Sequence, residues 1–437
     1  MIILGFILFV LYFSIPILTA PLTNTTFKLP NGMQVILSPN PDTEATCILF
    51  YHLTGTRDDP PEVKGASYLY QYLMRLGTQN LDAYDRFMLV SKNGGTSIER
   101  VNYDNSLFYQ IVPDDMIKNS LWLESERIHS LRLSDRVIDF QKNSLFTRLS
   151  RLMEQNPGYR ASEWVKSQIF EKTAYQLPVY GDITKIKDFN NNLVRKIYDN
   201  FRNYPDIIMV IAGKMDLGRL PQFVSEHFPG STPIGSSLKR EYSPLGPRKT
   251  HVFKNWVLDD IPQNFSLFGY RAPGKLSSDY LVFNLIRYYL TDPRISQVDK
   301  LLNRSSRLGV QVSGEFTNNL EANAFIIKLS SSHRVAIEQA RFIMNKQLQA
   351  LVDLRLPTTE IRMVKSLMEI DFAKDYARID RRSIMLAEHY HLYKNTKVEE
   401  TFQKRLKKIS PFDIMAVAKK YLDRNNLVNL NVYRKKK

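Results

Sequence analysis

Segments with strand-like patterns and segments with helical spacing follow one another along the first half of the chain. Met33–Leu37 alternates as a strand does, whereas Ala45–Leu53 is almost continuously apolar, as in a buried strand. In Gly65–Leu76, apolar and aromatic residues return at helical spacing along one side, which predicts a helix. Further strands are predicted over Ser106–Val112 and Ile207–Ala212, and further helices over Leu81–Lys92, Met116–Leu131, Asp135–Glu154 and Leu217–His227.

The composition changes in the middle of the chain, and the element order then repeats. Residues 229–250 contain a stretch rich in Pro, Gly and Ser, which predicts a linker between an N-terminal domain (21–228) and a C-terminal domain (251–437). The similar order of elements in the two halves predicts an α+β protein that arose by internal duplication. In the second half, strands are predicted over Asn264–Tyr270, Gly309–Ser313, Ala322–Leu329 and Val428–Val432, with one helix over Asp279–Leu290 and four between His333 and Tyr421.

The first twenty residues form an uncharged, apolar segment that gives way to polar residues after Ala20. This pattern is typical of a cleaved secretory signal, so the folded part is predicted to be exported, either periplasmic or secreted. The absence of a basic residue before the apolar run, and Pro21 directly after the best cleavage site, keep an alternative open. In that alternative, residues 1–20 stay on the chain as a membrane anchor.

The net charge narrows the range of partners, and the cysteine content excludes an internal disulfide. The net charge is +16, but the basic residues are spread along the chain, which favours an acidic partner or an anionic membrane surface. The sequence contains no nucleic-acid-binding motif, so no nucleic-acid partner is predicted. The single cysteine, Cys47, cannot form an internal disulfide and is predicted to be a small buried residue.

Four short phrases occur in an order and spacing that are more specific than any one phrase. They are residues 29–35 (LPNGMQV), residues 52–58 (HLTGTRD), Gly94-Gly95 followed by Asp104 and Ser106-Leu107-Phe108, and residues 208–216 (IMVIAGKMD). Together they resemble the insulinase/pitrilysin family of zinc peptidases (inverzincins) over nearly the whole chain. The resemblance implies two homologous domains, each a mainly antiparallel sheet packed with helices, that face each other across a chamber for unfolded peptides.

In active members of that family, the first helix carries the zinc-binding motif His-x-x-Glu-His, and a later helix adds a glutamate ligand. The resemblance places the two histidine positions at Tyr68 and Tyr72, the general-base position at Gln71 and the third-ligand position at Arg148. The phrase Asn156-Pro157-Gly158, which matches a turn after the third ligand, supports this register.

Each of these four replacements disfavours zinc chemistry. A phenol with an ordinary pKa of about 10 stays protonated at neutral pH and is a poor zinc ligand. Gln71 cannot act as a base, and Arg148 brings a permanent cation to a position that would need an anion. The sequence therefore predicts no catalytic residue, no metal and no cofactor at this site. It also predicts that Arg148 occupies the vacated metal position, desolvated between the two tyrosines and the amide oxygen of Gln71.

The positions that handle substrate in active relatives are altered too. The resemblance places an edge-strand Asn-Ala pair at Ile98 and Glu99, and the Arg and Tyr that stabilise the scissile carbonyl at Asn303 and Val310. Arg304 or Arg307 remains an alternative for the missing arginine. Because strand pairing uses backbone groups, a peptide could still add to the edge strand.

Three functions are compatible with these observations. The first is a non-catalytic subunit, similar to those of the two-chain processing peptidases, that pairs with an active zinc peptidase of the same family or with a second copy of itself. The second is a stand-alone peptide-binding or scaffold protein. The third is an active zinc metalloendopeptidase with an unrecognised site. The first is the function that the sequence favours.

Overall fold

Two β-sheets organise the chain in the computed structural model, which describes residues 23–230, 240–259, 261–305, 308–353 and 356–435. The first sheet has the strand order β1-β2-β6-β3-β5-β4, and the second has the order β7-β11-β8-β10-β9. The strands are β1 (Thr25–Lys28), β2 (Gln34–Pro39), β3 (Ala45–His52), β4 (Thr96–Val101), β5 (Ser106–Pro113), β6 (Ile207–Gly213), β7 (Val252–Leu258), β8 (Asn264–Pro273), β9 (Gln311–Phe316), β10 (Ala322–Ser331) and β11 (Leu427–Arg434).

The pairing of the strands displays the duplication. In the first sheet β2 and β6 are parallel, and in the second sheet β7 and β11 are parallel; the other pairs are antiparallel. The five strands β2-β6-β3-β5-β4 thus correspond in order to β7-β11-β8-β10-β9. The predicted α+β fold with two sheet-and-helix domains is confirmed. The sequence pattern missed β7, because Lys254 and Asn255 interrupt its apolar residues.

Helices cover both sheets, and several differ from the predicted ones. They are α1 (Tyr70–Leu73), α2 (Ala83–Ser91), α3 (Ile117–His129), α4 (Asp135–Gln155), α5 (Pro157–Ile169), α6 (Asn191–Arg202), α7 (Leu220–His227), α8 (Tyr280–Thr291), α9 (Gln297–Asp299), α10 (Arg334–Val352), α11 (Thr358–Ala377), α12 (Ile379–Tyr393), α13 (Val398–Lys408) and α14 (Pro411–Tyr421). Five helices, not four, lie in the described residues between 334 and 421. The phrase Asn156–Gly158, predicted as a turn, instead opens α5, with Pro157 in its first turn and the Asn156 side chain accepting the Tyr159 N–H at 2.9 Å.

One helix from each half packs against the sheet of the other half. Helix α5 packs Val165 and Ile169 against the second sheet, close enough that a side chain at Gly269 would lie 2.4 Å from Val165. Helix α12, from the second half, packs Leu386 and Ala387 against the corresponding face of the first sheet. Because each sheet is completed by a helix of the other half, the halves are expected to unfold together.

Residues 229–250 are predicted to be a linker, and the domain boundary that they would mark stays a prediction. Residues 231–239 lie outside the described part, whereas Arg240 is bound to the first half, with its Nη1 atom 3.2 Å from Asp206 and its Nε atom 3.3 Å from Asp58. Further along, the Leu245 N–H donates to the Glu321 carbonyl at 3.0 Å, so this end of the linker joins the two halves.

We expect limited proteolysis to cut first within residues 231–239, where Pro, Gly and Ser dominate the sequence. The two fragments should nevertheless co-elute as one particle in size-exclusion chromatography, because α5 and α12 hold each half on the other's sheet. A control digestion in denaturant should separate the fragments. Early cleavage inside α4, or spontaneous separation of the nicked halves without denaturant, would contradict this arrangement.

The predictions for the N-terminus and for the cysteine have different outcomes. Residues 1–20 lie outside the described part of the chain, so the predicted signal or anchor stays a prediction. Among the described residues, no helix has the length and hydropathy needed to cross a membrane. Cys47 is a free cysteine buried in β3, as predicted, and burial raises the pKa of its thiol to about 12.

Candidate peptidase-like site

The segment that corresponds to the zinc-binding helix is not one regular helix. Residues 66–69 form a 3-10 turn, and only Tyr70–Leu73 continue as the α-helical turn α1. Gly65 precedes them with a φ of 96°, and a side chain there would lie 2.4 Å from the backbone of Tyr180. The Asp59 carboxylate accepts hydrogen bonds from the N–H groups of Gly65 and Ser67 at 2.9 and 3.0 Å. These bonds fix the backbone where the 3-10 turn begins.

The expected helix over Gly65–Leu76 is therefore shorter and tighter than predicted. The carboxylate of Asp59 holds the first turn in 3-10 geometry, and three tyrosines in five positions add little helix propensity. Tyr68 and Tyr72 still approach each other, with ring centroids 6.1 Å apart in an edge-to-face arrangement. The ring of Tyr180 lies 6.1 Å from Tyr68 on the other side. Aromatic rings thus pack where the family resemblance places the metal.

Arg148, on α4, lies directly over Tyr72. Its guanidinium carbon is 4.3 Å from the centre of the Tyr72 ring, and its Nη2 atom donates a hydrogen bond to the Tyr72 hydroxyl. Gln71 donates from its amide nitrogen to the same hydroxyl at 2.8 Å. Burial and the neighbouring Tyr68 raise the pKa of Tyr72 to about 12, although Arg148 opposes the shift. Tyr72 therefore remains a neutral phenol at physiological pH.

Two details of the sequence-based prediction for Arg148 are wrong. Arg148 is exposed, not desolvated, because it lies on the outer side of α4 while Leu145 and Leu149 face the core. Gln71 turns its amide nitrogen toward Tyr72, and so does not offer its oxygen to the guanidinium. The contact between Arg148 and Tyr72 exists, but it lies at the surface.

These four side chains do not fit a zinc ion. A zinc ligand must be an imidazole, a thiolate, a carboxylate or a similarly strong donor. Here the donors are neutral phenols, one with a pKa of about 12, and a guanidinium lies against one of them. Among the described residues, no group of three His, Cys, Asp or Glu side chains is placed to hold a metal.

The edge-strand positions Ile98 and Glu99 point to opposite faces of β4, as neighbours on a strand must. Ile98 is half-buried and packs in the apolar cluster beside α12. Glu99 is buried on the other face, where it accepts hydrogen bonds from Arg75 at 2.6 Å and Ser97 at 2.8 Å. The strand itself is the last of the first sheet, so its outer backbone edge pairs with no other described strand.

The carbonyl-stabilising positions Asn303 and Val310 bind each other. The Asn303 amide nitrogen donates to the Val310 carbonyl at 2.7 Å, and the Val310 N–H donates to the Asn303 side-chain oxygen at 2.9 Å. Asn303 also donates to Asp299 at 2.7 Å, and the Val310 side chain is buried. This pair closes the turn before β9 and does not offer a donor to a carbonyl substrate. The side chain of Arg304, and Arg307, lie outside the described residues.

Known proteins share this architecture. Residues 188–368, which include the linker and most strands of the second half, match the peptidase M16 inactive domain. The predicted family resemblance is confirmed. An uncharacterized zinc protease of Streptomyces coelicolor is 18% identical over 51% of this chain and 48% of that protein, so the chain spans about half the length of this relative.

Solved protease structures superpose on most of the chain. A protease from Helicobacter pylori has a TM-score of 0.85 and 15% identity, over 94% of this chain and 99% of that chain. The periplasmic protease PqqL from Escherichia coli has a TM-score of 0.76 and 14% identity, over 94% of this chain and 48% of that chain. At such identities the likeness establishes the fold alone.

The structure also shows a buried charge cluster that the sequence reasoning missed. Glu99 lies 3.5 Å from Arg127 and 4.0 Å from Arg86, and Glu124 lies 2.7 Å from Arg127. Burial raises the pKa of Glu124 to about 7, although Arg86 opposes the shift. The signal was present in the sequence, because Arg86, Glu124 and Arg127 fall on the inward sides of α2 and α3. The cluster fixes β4 against these helices.

We expect Arg148→Ala to lower the free energy of unfolding by only about 0.5–1 kcal/mol, the range for an exposed cation–π contact. The melting temperature should fall by about 1–2 °C. The matched control is Arg151→Ala, another exposed arginine on α4, which should have no measurable effect. Chelator should leave the melting temperature of both proteins unchanged. A chelator-dependent fall in the unsubstituted protein would contradict the assignment.

Proposed function

We propose that this M16-type homologue is a non-catalytic subunit that forms part of the wall of a peptide chamber beside an active zinc peptidase of the same family. The observation that carries the proposal is the guanidinium of Arg148, 4.3 Å above the Tyr72 ring. The family resemblance predicts the third zinc ligand of active relatives at this position. A permanent cation there opposes a dication by charge alone. Active subunits of such an assembly would supply the metal.

The other altered positions support the same function. Gln71 has no proton affinity to serve as a base, and its amide already donates to Tyr72. Asn303 and Val310 satisfy each other and leave no donor for a developing oxyanion. The two-sheet body remains intact, with a free edge on β4. The chain has therefore kept the parts that shape a chamber while losing those that would hydrolyse a peptide.

Metal analysis and peptidase assays test the loss of catalysis. The protein, purified in the presence of zinc, should hold far less than one zinc per chain and should not cleave unfolded peptides. A variant with Tyr68→His, Gln71→Glu, Tyr72→His and Arg148→Glu should gain zinc more readily than activity, because Asn303 and Val310 are unchanged. Stoichiometric zinc together with chelator-sensitive hydrolysis by the unsubstituted protein would overturn the proposal.

Co-purification from the native host tests the assembly. A tagged chain should bring down a second chain of similar size that carries an intact His-x-x-Glu-His motif, and the complex should cleave peptides. Replacing the histidines of that partner should abolish the activity, whereas Arg148→Ala in this chain should not. Recovery of only a monomer or a homodimer without peptidase activity would favour the alternative described next.

The free edge of β4 favours a second candidate, a stand-alone peptide-binding scaffold. An extended peptide could add to this edge through backbone hydrogen bonds without any catalytic group. The purified chain alone should then bind unfolded peptides, and a proline in the middle of the peptide should weaken binding because it removes a backbone donor. A chain that binds peptide only within the complex would support the subunit instead.

Export is part of the proposed function. The apolar residues 1–20 support it, as does the likeness to a periplasmic protease. N-terminal sequencing of the protein from its native host distinguishes a cleaved signal, with a new N-terminus near Ala20, from an anchor retained in the membrane fraction. Cytosolic protein that retains Met1 would contradict export.

A further inference from the structure

The second half contains a large cavity at the place where the first half has a helix. In the first half, α7 follows β6, and Leu220, Val224 and the following Phe228 pack in one apolar cluster with residues of β2, β3 and β6. The corresponding strands of the second half are β7 and β11. Next to α10, the described residues leave a cavity of about 740 Å³ over β8, β11 and Phe253 of β7. The duplicated fold thus provides a space that no described helix fills.

The side chains on the two corresponding faces differ in polarity. Beneath α7 the residues are apolar, namely Val35, Leu37, Met209 and Ile211. On the corresponding face of β7 and β11 they are Phe253, Asn255, Asn429 and Asn431. Phe253 is 51% exposed, and Asn431 donates to Asn255 at 2.9 Å. This face is not adapted to an apolar helix, and two of its residues, Phe253 and Asn429, line the cavity.

The charge of the cavity wall is positive. Arg341, Arg424 and His251 line it, together with the amides of Asn345 and Gln349, and no acidic side chain lines it within the described part of the chain. Arg341 is held in place by Glu338 at 2.8 Å and by Asn429 at 3.3 Å. Burial lowers the pKa of His251, and the cations of Arg424 and Arg248 lower it further, which indicates a positive potential at the cavity.

We propose that this cavity binds a phosphate ester, with the phosphate oxygens at Arg341 and Arg424 and the organic part against Phe253. Guanidinium groups bind phosphate with short, charge-assisted hydrogen bonds, and two arginines, Arg341 and Arg424, line this cavity. The neighbouring amides can bind further oxygens, and the ring of Phe253 gives the organic part an apolar contact. The site is independent of the peptidase-like site.

The ligand can come from two sources that share this chemistry, a soluble phosphate ester or the headgroup of an anionic lipid. Butyl phosphate serves as the soluble probe in calorimetric titration at physiological ionic strength. Vesicles of phosphatidylcholine with and without phosphatidylglycerol serve as the lipid probe in co-sedimentation. Saturable binding of butyl phosphate alone indicates a soluble ligand, and binding only to the phosphatidylglycerol vesicles indicates a membrane headgroup.

Arg424→Gln tests the site, because Arg424 is exposed and its replacement should not disturb folding. We expect it to weaken binding of whichever probe binds by about tenfold, the effect of losing one charge-assisted contact. Arg341→Gln should have a similar effect. Arg219→Gln, with 78% of its side chain exposed on the first half, removes the same charge elsewhere and should leave binding unchanged. No saturable binding of either probe, or equal weakening by Arg424→Gln and Arg219→Gln, would overturn the proposal.

Discussion

Replacing Arg57 with alanine is expected to lower the free energy of unfolding by about 3–5 kcal/mol, the cost of leaving buried carboxylates without their cation. Arg57 follows β3 and lies between the two halves. Its Nη1 atom is 3.1 Å from Asp104 in the first half, and its Nη2 atom is 3.2 Å from Glu321 in the second half. The side chains of Asp104 and Glu321 are only 3% and 10% exposed.

The residues around Arg57 limit how far the structure can adjust when the guanidinium is removed. Asp104 also accepts the Tyr175 hydroxyl at 2.8 Å and the Leu320 N–H at 2.8 Å, so its carboxylate is fixed where the cation is needed. The ring of Tyr242 lies 4.7 Å from the guanidinium and covers it. Without the guanidinium, the two largely buried carboxylates would lose their cation.

Urea unfolding at neutral pH measures the effect. The matched control is Arg195→Ala, which breaks an exposed ion pair with Asp135 and should cost no more than about 1 kcal/mol. Because Arg57 joins the halves, a nicked Arg57→Ala protein should also separate into its fragments more readily than the nicked unsubstituted protein. Equal losses for the two substitutions would mean that the Arg57 cluster is solvated.

The order of the sequence phrases identified the fold, but not how its halves interlock. The phrase at residues 29–35 leads into β2 and the phrase at residues 208–216 covers most of β6, and these two strands pair in parallel. The corresponding strand β7 escaped detection because Lys254 and Asn255 interrupt its apolar residues. The exchange of α5 and α12 between the sheets could not be predicted, because an apolar helix face does not specify which sheet will cover it.

The sequence was enough to predict which residue types occupy the candidate site, but not how their side chains are arranged. The types of residue at positions 68, 71, 72 and 148 were enough to argue against zinc, since that argument depends on donor chemistry. The exposure of Arg148 depends on the way α4 is turned, and the 3-10 turn depends on the carboxylate of Asp59. The resemblance predicts Glu99 as an altered substrate position, and the structure adds a hydrogen bond from Arg75 that helps to hold β4.

Acidification is expected to destabilise the protein through His52, at the end of β3. The imidazole is 1% exposed and lies between the rings of Phe108 and Phe201, at 5.1 and 5.7 Å. Its Nδ1 atom has no hydrogen-bond partner among the described residues. Burial lowers the pKa of His52 from 6.5 to about 3, because a charged ring would lose its hydration without gaining an acceptor.

The sign of the pH effect follows from the different pKa of His52 in the folded and unfolded chain. The unfolded chain binds a proton at His52 below pH 6.5, whereas the folded chain does so only near pH 3. The stability due to the neutral ring is thus fully present above pH 6.5 and is lost as the pH falls. At pH 4.5 the loss is about 2–3 kcal/mol. Glu124, whose pKa is raised to about 7, acts in the opposite direction, so the total pH profile is not diagnostic.

Comparison with His52→Leu isolates the contribution of this ring. Leucine is uncharged at every pH and keeps an apolar side chain between the two phenylalanines, so the variant should retain about 2–3 kcal/mol more of its neutral-pH stability at pH 4.5 than the unsubstituted protein does. Urea unfolding at pH 7 and pH 4.5 measures the difference. The control His333→Leu, at an exposed histidine, should show the same pH dependence as the unsubstituted protein. If His52→Leu also follows that dependence, the folded state must accommodate a charged imidazole at His52, and the burial of this ring does not limit acid stability.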